Sequence, residues 1–367
     1  MVKFRRAFRR VPDPRASNAR HDLLEVLVIA LAATLCGAES CSDMAEFGEA
    51  KEWLLRLFLR LEHGIPSHDT FSRVFRLLEP AAFEAGFRRF MAAFAKVNRL
   101  KLTGVLAIDG KALRGSFERG QSTEPLHLVN VWATEARMAL AQQKAPGRNE
   151  TAAALEVLEL LSLEGCIVTA DALHCHRAMA TRILDRGGDY VLAIKANRGP
   201  LFTAVVRQFA RSGKRSIADQ LEPSTHDRRE ARRATVMRNT SLAADHKFPG
   251  VVAIGRVTAR RRLRGRRADP PLVRYYLLSK PMSAKRLLRV TRSHWTIENQ
   301  LHWVLDVHFD EDGNRTRKDN APENLAILRR LALNILRSHP DPTPIRRKIK
   351  RAGWDDNFLM AMLSHMR

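Results

Sequence analysis

The chain has 367 residues, 45% of them hydrophobic, and its 63 Lys and Arg against 39 Asp and Glu give a net charge of +24. That length is enough for two or three cores, and so large a cationic excess favours a polyanionic partner, because each neutralised phosphate releases condensed counterions. Cys36, Cys41, Cys166 and Cys175 contain no CxxC pair and exclude a disulfide framework; the apolar run 23–35 is too short to span a membrane, and the basic start lacks an apolar signal core, so a cytoplasmic, nucleoid-associated protein is expected.

Residues 1–20 carry Lys3, Arg5, Arg6, Arg9, Arg10, Arg15 and Arg20 and read as a flexible basic arm. Residues 21–98 are helical in pattern. The run 23–35 is apolar almost all round and predicts a buried helix, and 42–61 predicts one amphipathic helix with Phe47, Trp53, Leu54, Leu57 and Leu61 at helical spacing. Gly64 and Pro66 break the chain, and Ser67 caps a helix running to about Leu78. Two readings stand for this stretch: a helix-turn-helix presenting Arg73 and Arg76 to DNA, or a helical bundle with a capped turn.

From Lys101 the period shortens. Residues 105–108, 125–134 and 137–145 predict strands, 150–163 a helix, 166–170 a strand, 175–186 a helix and 190–194 a strand. The order βββαβαβ predicts an α/β fold, a mixed sheet flanked by helices, and is that of the ribonuclease-H-like fold, an analogy of fold and not of function. After a helix near 199–211, the stretch 212–280 predicts a β-rich insertion, with strands at 229–238, 251–260 and 271–279. Its cationic hairpin tip carries Arg260, Arg261 and Arg262, candidate contacts to a DNA backbone. Helices at 284–306 and 321–338 return the chain to the core, which comprises 99–211 and 281–340, and 341–367 reads as a basic C-terminal tail.

Asp109 and Asp171 each close an apolar strand, VLAI and CIVTA, and these strands are predicted to be parallel neighbours. Two acids at one sheet end repel unless a divalent cation neutralises them, and hard oxygen ligands favour Mg²⁺ or Mn²⁺ over Zn²⁺. A lone strand-end Asp reads as a turn or cap residue; the pair on this strand order favours the metal. The third acid is expected on the helix RSHWTIENQLHW, where His294, Glu298, His302 and Asp306 share one face at four-residue spacing. Glu298 is the best candidate; Asp306, Asp310, Glu311 and Asp312 are rivals, and a His/Glu/His zinc site is the alternative chemistry. Lys111, Arg114, Arg292 and His294, near these acids, join the candidate DNA contacts.

The strings AIDGKALRGS, IVTADALHCHRAMA, DYVLAIKANRGPL, HWTIENQLHWVLDVHFDED and NAPENLAILRRLALNILR resemble the transposases of bacterial insertion sequences, in particular the H-repeat-associated subgroup. The likeness extends to the helical N-terminal part through GIPSHDTFSRVFRLL. It implies an aspartate–aspartate–glutamate triad, falling on Asp109, Asp171 and Glu298, on a ribonuclease-H-like core with a β insertion before the glutamate. It also implies cleavage and joining of double-stranded DNA with two Mg²⁺ or Mn²⁺ ions, by a homodimer in the DNA complex. The wider superfamily places Tyr, Arg and Lys around the glutamate where this chain has Thr291, His294 and Leu305, with Arg292 close by. Two other readings share these residues: a degenerate transposase kept as a DNA-binding regulator, and a metal-dependent nuclease without joining activity.

Overall fold

The structure, a computed structural model, describes residues 2–100, 103–117, 124–211, 213–221, 228–239, 241–263 and 270–365. Aliphatic runs make its centre. Strands β1 (Val105–Leu113), β2 (Leu126–Ala133), β3 (Met138–Lys144), β4 (Ile167–Ala170) and β5 (Asp189–Ile194) are almost wholly buried, as strands covered on both faces must be. The β1 strand pairs antiparallel with β2 and parallel with β4, and β4 pairs parallel with β5. Helices α7 (Glu150–Glu159) and α8 (Arg177–Asp185) supply the crossovers.

Strands β6 (Ser216–Leu221), β7 (Arg228–Arg238), β8 (Ala253–Leu263) and β9 (Leu272–Leu278) follow α9 (Gly199–Ala210), with α10 (Ser241–Asp245) between β7 and β8. They extend the same sheet: among the described residues it has nine strands in the order β3-β2-β1-β4-β5-β9-β8-β7-β6. The antiparallel pairing of β9 with β5 covers what would otherwise be an open edge. Helix α11 (Ala284–His294) seals the joint. Its Leu287 and Leu288 share one apolar cluster with Val105, Ile167 and Val191 of the first strands and Ala234 and Val257 of the later ones. At Gly255 a Cβ would come within 2.5 Å of Leu287, so glycine lets the helix lie close on β8. The sheet is mixed α/β, mostly antiparallel, and compatible with the ribonuclease-H-like expectation.

The chain continues from α11 through a π-helical turn (Ile297–His302) into α12 (Trp303–Phe309), then α13 (Ala321–Ser338). Two layers therefore cover the sheet around β1. Gly110 faces α7, where a Cβ would strike the Glu150 carboxylate at 2.4 Å, while Asp109 and Lys111 point to the other face, against His302 and Asp306.

The all-α N-terminal part consists of α1 (Val2–Phe8), α2 (Leu23–Leu35), α3 (Cys41–Ala50), α4 (Glu52–Leu55), α5 (His68–Leu77) and α6 (Pro80–Val97). It shares one continuous apolar cluster with α13 and the sheet. Asn324 of α13 donates to the carbonyls of Phe75 (2.9 Å) and Leu78 (2.8 Å), tying α5 to the core, and Glu84 of α6 accepts from the Gln142 backbone (3.1 Å). Helix α5 buries Phe71, Val74 and Phe75 and begins after Ser67, whose side chain makes no cap bond; this packing is common to both readings of 64–78.

Four expectations are corrected. Residues 2–8 of the basic arm form a helix whose Phe4 and Phe8 are buried and stack on each other (4.4 Å), Phe8 meeting Phe83 of α6 at 5.5 Å. Two phenylalanines four residues apart make an apolar face, which outweighs the arginines around them. The tail after 341 is helix α14 (Ile345–Trp354) followed by α15 (Asp356–His365). Its Lys348 is buried and donates to the carbonyls of Leu336 (2.8 Å) and His339 (2.9 Å), capping the end of α13. The helix expected over 42–61 stops at Ala50, restarts over 52–55 and ends, leaving Trp53 and Leu57 exposed. Glu25, buried under this stretch, accepts from the backbone N–H groups of Arg60 (2.7 Å) and Leu61 (3.2 Å), which draws the chain out of the helix. Finally, β1 does not end at Asp109; its pairing with β4 ends at Ile108, while β2 carries it on to Leu113.

If α1 is part of the fold, Phe8→Ala should lower the unfolding free energy by about 3–5 kcal/mol in urea titration. A loss under about 1 kcal/mol, the range of an exposed substitution, would return residues 2–8 to the solvated arm.

Candidate active site

Strand β4 ends where β1 loses its pairing with it, so Asp109 and Asp171, each following a residue of the last β1–β4 pair (Ile108↔Ala170), stand side by side at one sheet end. Asp171 also begins a short 3-10 turn (Ala172–His174), and its Oδ1 accepts from the backbone N–H of Leu173 at 2.9 Å. One carboxylate oxygen is thereby fixed, so Asp171 is a cap residue as well as a candidate for the site.

The third wall is the helix run 284–309. Its π-helical turn holds Glu298, exposed at the rim, and such turns recur at functional sites because they re-aim one side chain within a helix. Asp109, Asp171 and Glu298 line one cavity of about 620 Å³, together with His294. Across the helix run, contacts to the sheet fall in sequence: His294 Nδ1 lies 3.1 Å from Thr169 Oγ1, His302 Nδ1 lies 3.6 Å from Asp109 Oδ2, and Asp306 pairs with Lys111. The two histidines thus meet separate partners on the sheet through Nδ1. Among the described residues no three His, Cys, Asp or Glu side chains form a ready-made metal cage.

Electrostatics report the same convergence. Burial pushes the Asp109 carboxyl up to about 7, and the neighbouring charges of Glu298 and then Asp171 push the same way, against the backbone N–H of Gly110. Loss of solvent also raises Glu298, with Arg274 pulling it back. Both histidines are kept neutral: burial takes His294 down to about 4 and, with Lys111 and Arg330, His302 down to about 3.

The rival acids are engaged elsewhere. Asp306 is the partner of Lys111, Glu311 is fully buried against Arg330 (2.6 Å), and Asp312 accepts from the backbone of Arg114 (2.9 Å). Asp310 takes the left-handed cap position of α12.

The candidate DNA contacts divide in the same way. Arg73, Arg114, Arg260 and Arg292 are exposed, Arg114 with its Nε 3.6 Å from the Asp312 carboxylate; Arg76 pairs with Asp319 (2.7 Å) and Arg261 with Glu230 (3.3 Å). Lys111 as a DNA contact is corrected: it is buried, and its ammonium is taken up by Asp306. His294 sits inside the cavity and not on an outer face. The side chain of Arg262 and the hairpin tip 264–269 lie outside the described residues.

Sequence reasoning missed Lys195 and Arg274. Lys195 follows strand β5 as Asp171 follows β4, and that shared position was its signal; Arg274 interrupts the apolar run of β9, where a cation reads as solvated. Both line the cavity, and the Arg274 guanidinium lies over the Trp295 ring, 5.0 Å from its centroid. The cavity therefore joins three acids to two cations and an apolar wall that includes Phe202 and Tyr275.

Two family models match the chain: the DDE_Tnp_1-associated family over residues 5–91 and the transposase DDE domain over residues 101–335. Over 364 residues it is 32% identical to "Putative transposase YncI" of Escherichia coli O157:H7, covering 96% of this chain and 92% of that protein. It is 31% identical to "H repeat-associated putative transposase YhhI" of Escherichia coli strain K12, covering 96% of each. A shorter relative from the same strain, "Inactive transposase YbfQ", is 39% identical over 64 residues, 17% of this chain and 76% of its own length.

The raised Asp109 value makes a prediction for the cation-free protein. Its carboxyl titrates near 3.8 when unperturbed and near 7 in the fold, so between those values the folded chain holds a proton that the unfolded chain has lost. Stability therefore falls as pH rises through that window and levels off above it. Asp109→Asn removes the slope, and relative to the wild type it should gain on the order of 1–3 kcal/mol between pH 5 and pH 8. Urea unfolding at both pH values checks this; parallel profiles for the two proteins would show that Asp109 carries no such strain.

Proposed function

The chain belongs to the transposase DDE-domain family, and from that premise we propose that it cuts and joins double-stranded DNA at insertion-sequence ends by metal-dependent phosphoryl transfer, with Asp109, Asp171 and Glu298 as the acting carboxylates. The observation that carries the reading is the lining of one cavity by acids from three separate elements, two of which raise the third.

The donor set suits Mg²⁺ or Mn²⁺. All three groups are hard oxygen donors, and the raised Asp109 carboxyl marks negative charge that a divalent cation would relieve. Two bound ions would contribute activation of the attacking water or 3′-hydroxyl and charge stabilisation at the leaving 3′-oxygen. The chain's own residues do the rest. Asp109, within β1, and Asp171, directly after β4, are short side chains and hold position; Glu298 is longer and reaches in from the helix. Lys195 and Arg274 offer cationic contacts to phosphates on either side of the scissile bond, and the Trp295 and Tyr275 wall limits how the strand can lie. Arg73, Arg114, Arg260 and Arg292 would hold the flanking duplex by its backbone, with a homodimer bringing two ends together.

The test is incubation with DNA carrying the ends that flank the chain's own gene, plus Mg²⁺, scored for cleaved and joined ends. Glu298→Gln should lose several orders of magnitude in cleavage while keeping DNA affinity. Asp306→Asn, which removes only the partner of Lys111, should stay within about tenfold of wild type. Cleavage that survives Glu298→Gln and disappears in Asp306→Asn would mean the wrong carboxylate has been chosen. Cleaved ends that are never joined would make the protein a nuclease, and binding without cleavage would make it a regulator.

A further inference from the structure

A line of buried polar groups runs from the centre of the molecule to Asp109. Asn130 lies directly across the β1–β2 pairing from Asp109 and is fully buried. Arg330 of α13, also fully buried, donates from Nε to Asn130 Oδ1 at 2.7 Å. It donates from Nη1 to Glu311 Oε1 at 2.6 Å and to the Ala326 carbonyl at 2.9 Å. Asn130 Nδ2 stands 3.5 Å from His302 Nε2, and His302 Nδ1 stands 3.6 Å from Asp109 Oδ2.

We propose that His302 is a positioning residue for Asp109, locked by the Glu311–Arg330–Asn130 chain in the tautomer that presents Nδ1–H to the aspartate. The inference rests on the reading of Asp109 as a cation ligand given above. It follows from the donor inventory. A guanidinium has only donors, so Asn130 must turn its carbonyl oxygen to Arg330; the reverse orientation would press two donors together in a site closed to water. With the oxygen so committed, the amide that faces His302 is an NH₂ group and can only donate. The ring nitrogen it meets, Nε2, must then be the acceptor, which leaves the imidazole proton on Nδ1 beside Asp109. The distance of 3.6 Å is longer than a formed hydrogen bond, and a small rotation of the ring or the carboxylate would close it. A donor on Oδ2 fixes the rotation of the carboxylate and leaves its other oxygen for the cation. Groups that orient a ligand in this way change metal affinity about 10–100-fold when removed.

Two measurements on the full-length protein test it. The first is the ¹⁵N spectrum of the His302 ring, expected to show a protonated Nδ1 and a bare Nε2; the opposite tautomer overturns the proposal. The second is Mn²⁺ affinity by electron paramagnetic resonance. His302→Gln puts its amide at the Nε2 end, keeps the reach to Asn130 and withdraws the donor from Asp109, so Mn²⁺ binding should weaken about tenfold or more. His302→Asn puts an amide nitrogen at the Nδ1 position and should restore most of that loss. Equal weakening in both variants would make His302 a packing residue only, and no weakening in either would remove it from the site. Asp109→Asn separates the two levels. If it binds Mn²⁺ as wild type does, the reading of the site fails; if it loses Mn²⁺ while His302→Gln does not, the positioning role alone fails. Asn130→Asp reverses the group facing His302, and unchanged Mn²⁺ binding in that variant would also overturn the chain.

Discussion

Carboxylates of like charge held in a half-dry cavity are the constraint around which the rest of the molecule is arranged. Asp109 cannot ionise at its ordinary pH, first because it is buried away from solvent and then because Glu298 and Asp171 stand near it. The groups closest to Asp109 on β1 and on the covering helix do not cancel that repulsion. Lys111, the nearest cation along β1, is spent on Asp306, and the two histidines at the site are neutral. Three acids gathered in one half-dry cavity, with Lys195 and Arg274 as the cations that line it, make a site that a divalent cation is suited to fill, and that gathering is the physical basis of the proposed chemistry.

Holding such a cavity in place requires a rigid frame behind it, and α13, which does not line the cavity, braces the elements around it. Through Asn324 it fixes α5, through Asn334 it bonds both backbone groups of Ala139 in β3, and through Arg330 it reaches Asn130 beside the site. Each of these polar side chains is buried and spent on a specific partner, an arrangement that selects one packing even where an apolar residue would give equal stability. The Arg330–Glu311 pair also removes an acid from competition: Glu311 is close in sequence to the cavity residues, yet its charge is neutralised inside the core. Specificity of site and specificity of fold rest here on the same helix.

The excess of positive charge is distributed with a different logic. Some cations already have partners within the fold, as Lys348 does at the end of α13 and Arg76 does with Asp319. The cations open to a polyanion are those on outer faces, such as Arg73 and Arg260, and those within the cavity, Lys195 and Arg274. Net charge predicts that a nucleic-acid partner is favoured, but not which arginines meet it, because the count makes no distinction between a cation paired within the fold and one facing water.

Local pattern was enough for the strand and helix order of the core, for the burial of α2, and for the choice of Asp109, Asp171 and Glu298 as acids to watch, since each aspartate closes an apolar run and the glutamate sits on a helix bearing polar groups at four-residue spacing. These are properties of neighbouring residues, and periodicity reads them directly. Joining the inserted strands to the core sheet, and docking α1 by Phe4 and Phe8, required the partner surface to be present. So did the π-helical turn under Glu298 and the entry of Arg274 into the cavity. The fate of Lys111 shows why. It stands two residues from Asp109 on the same strand face and reads as a free cation, but Asp306 reaches it from 195 positions along the chain and buries its charge. A contact between residues so far apart leaves no trace in local spacing; only the closing of α12 over β1 decides it.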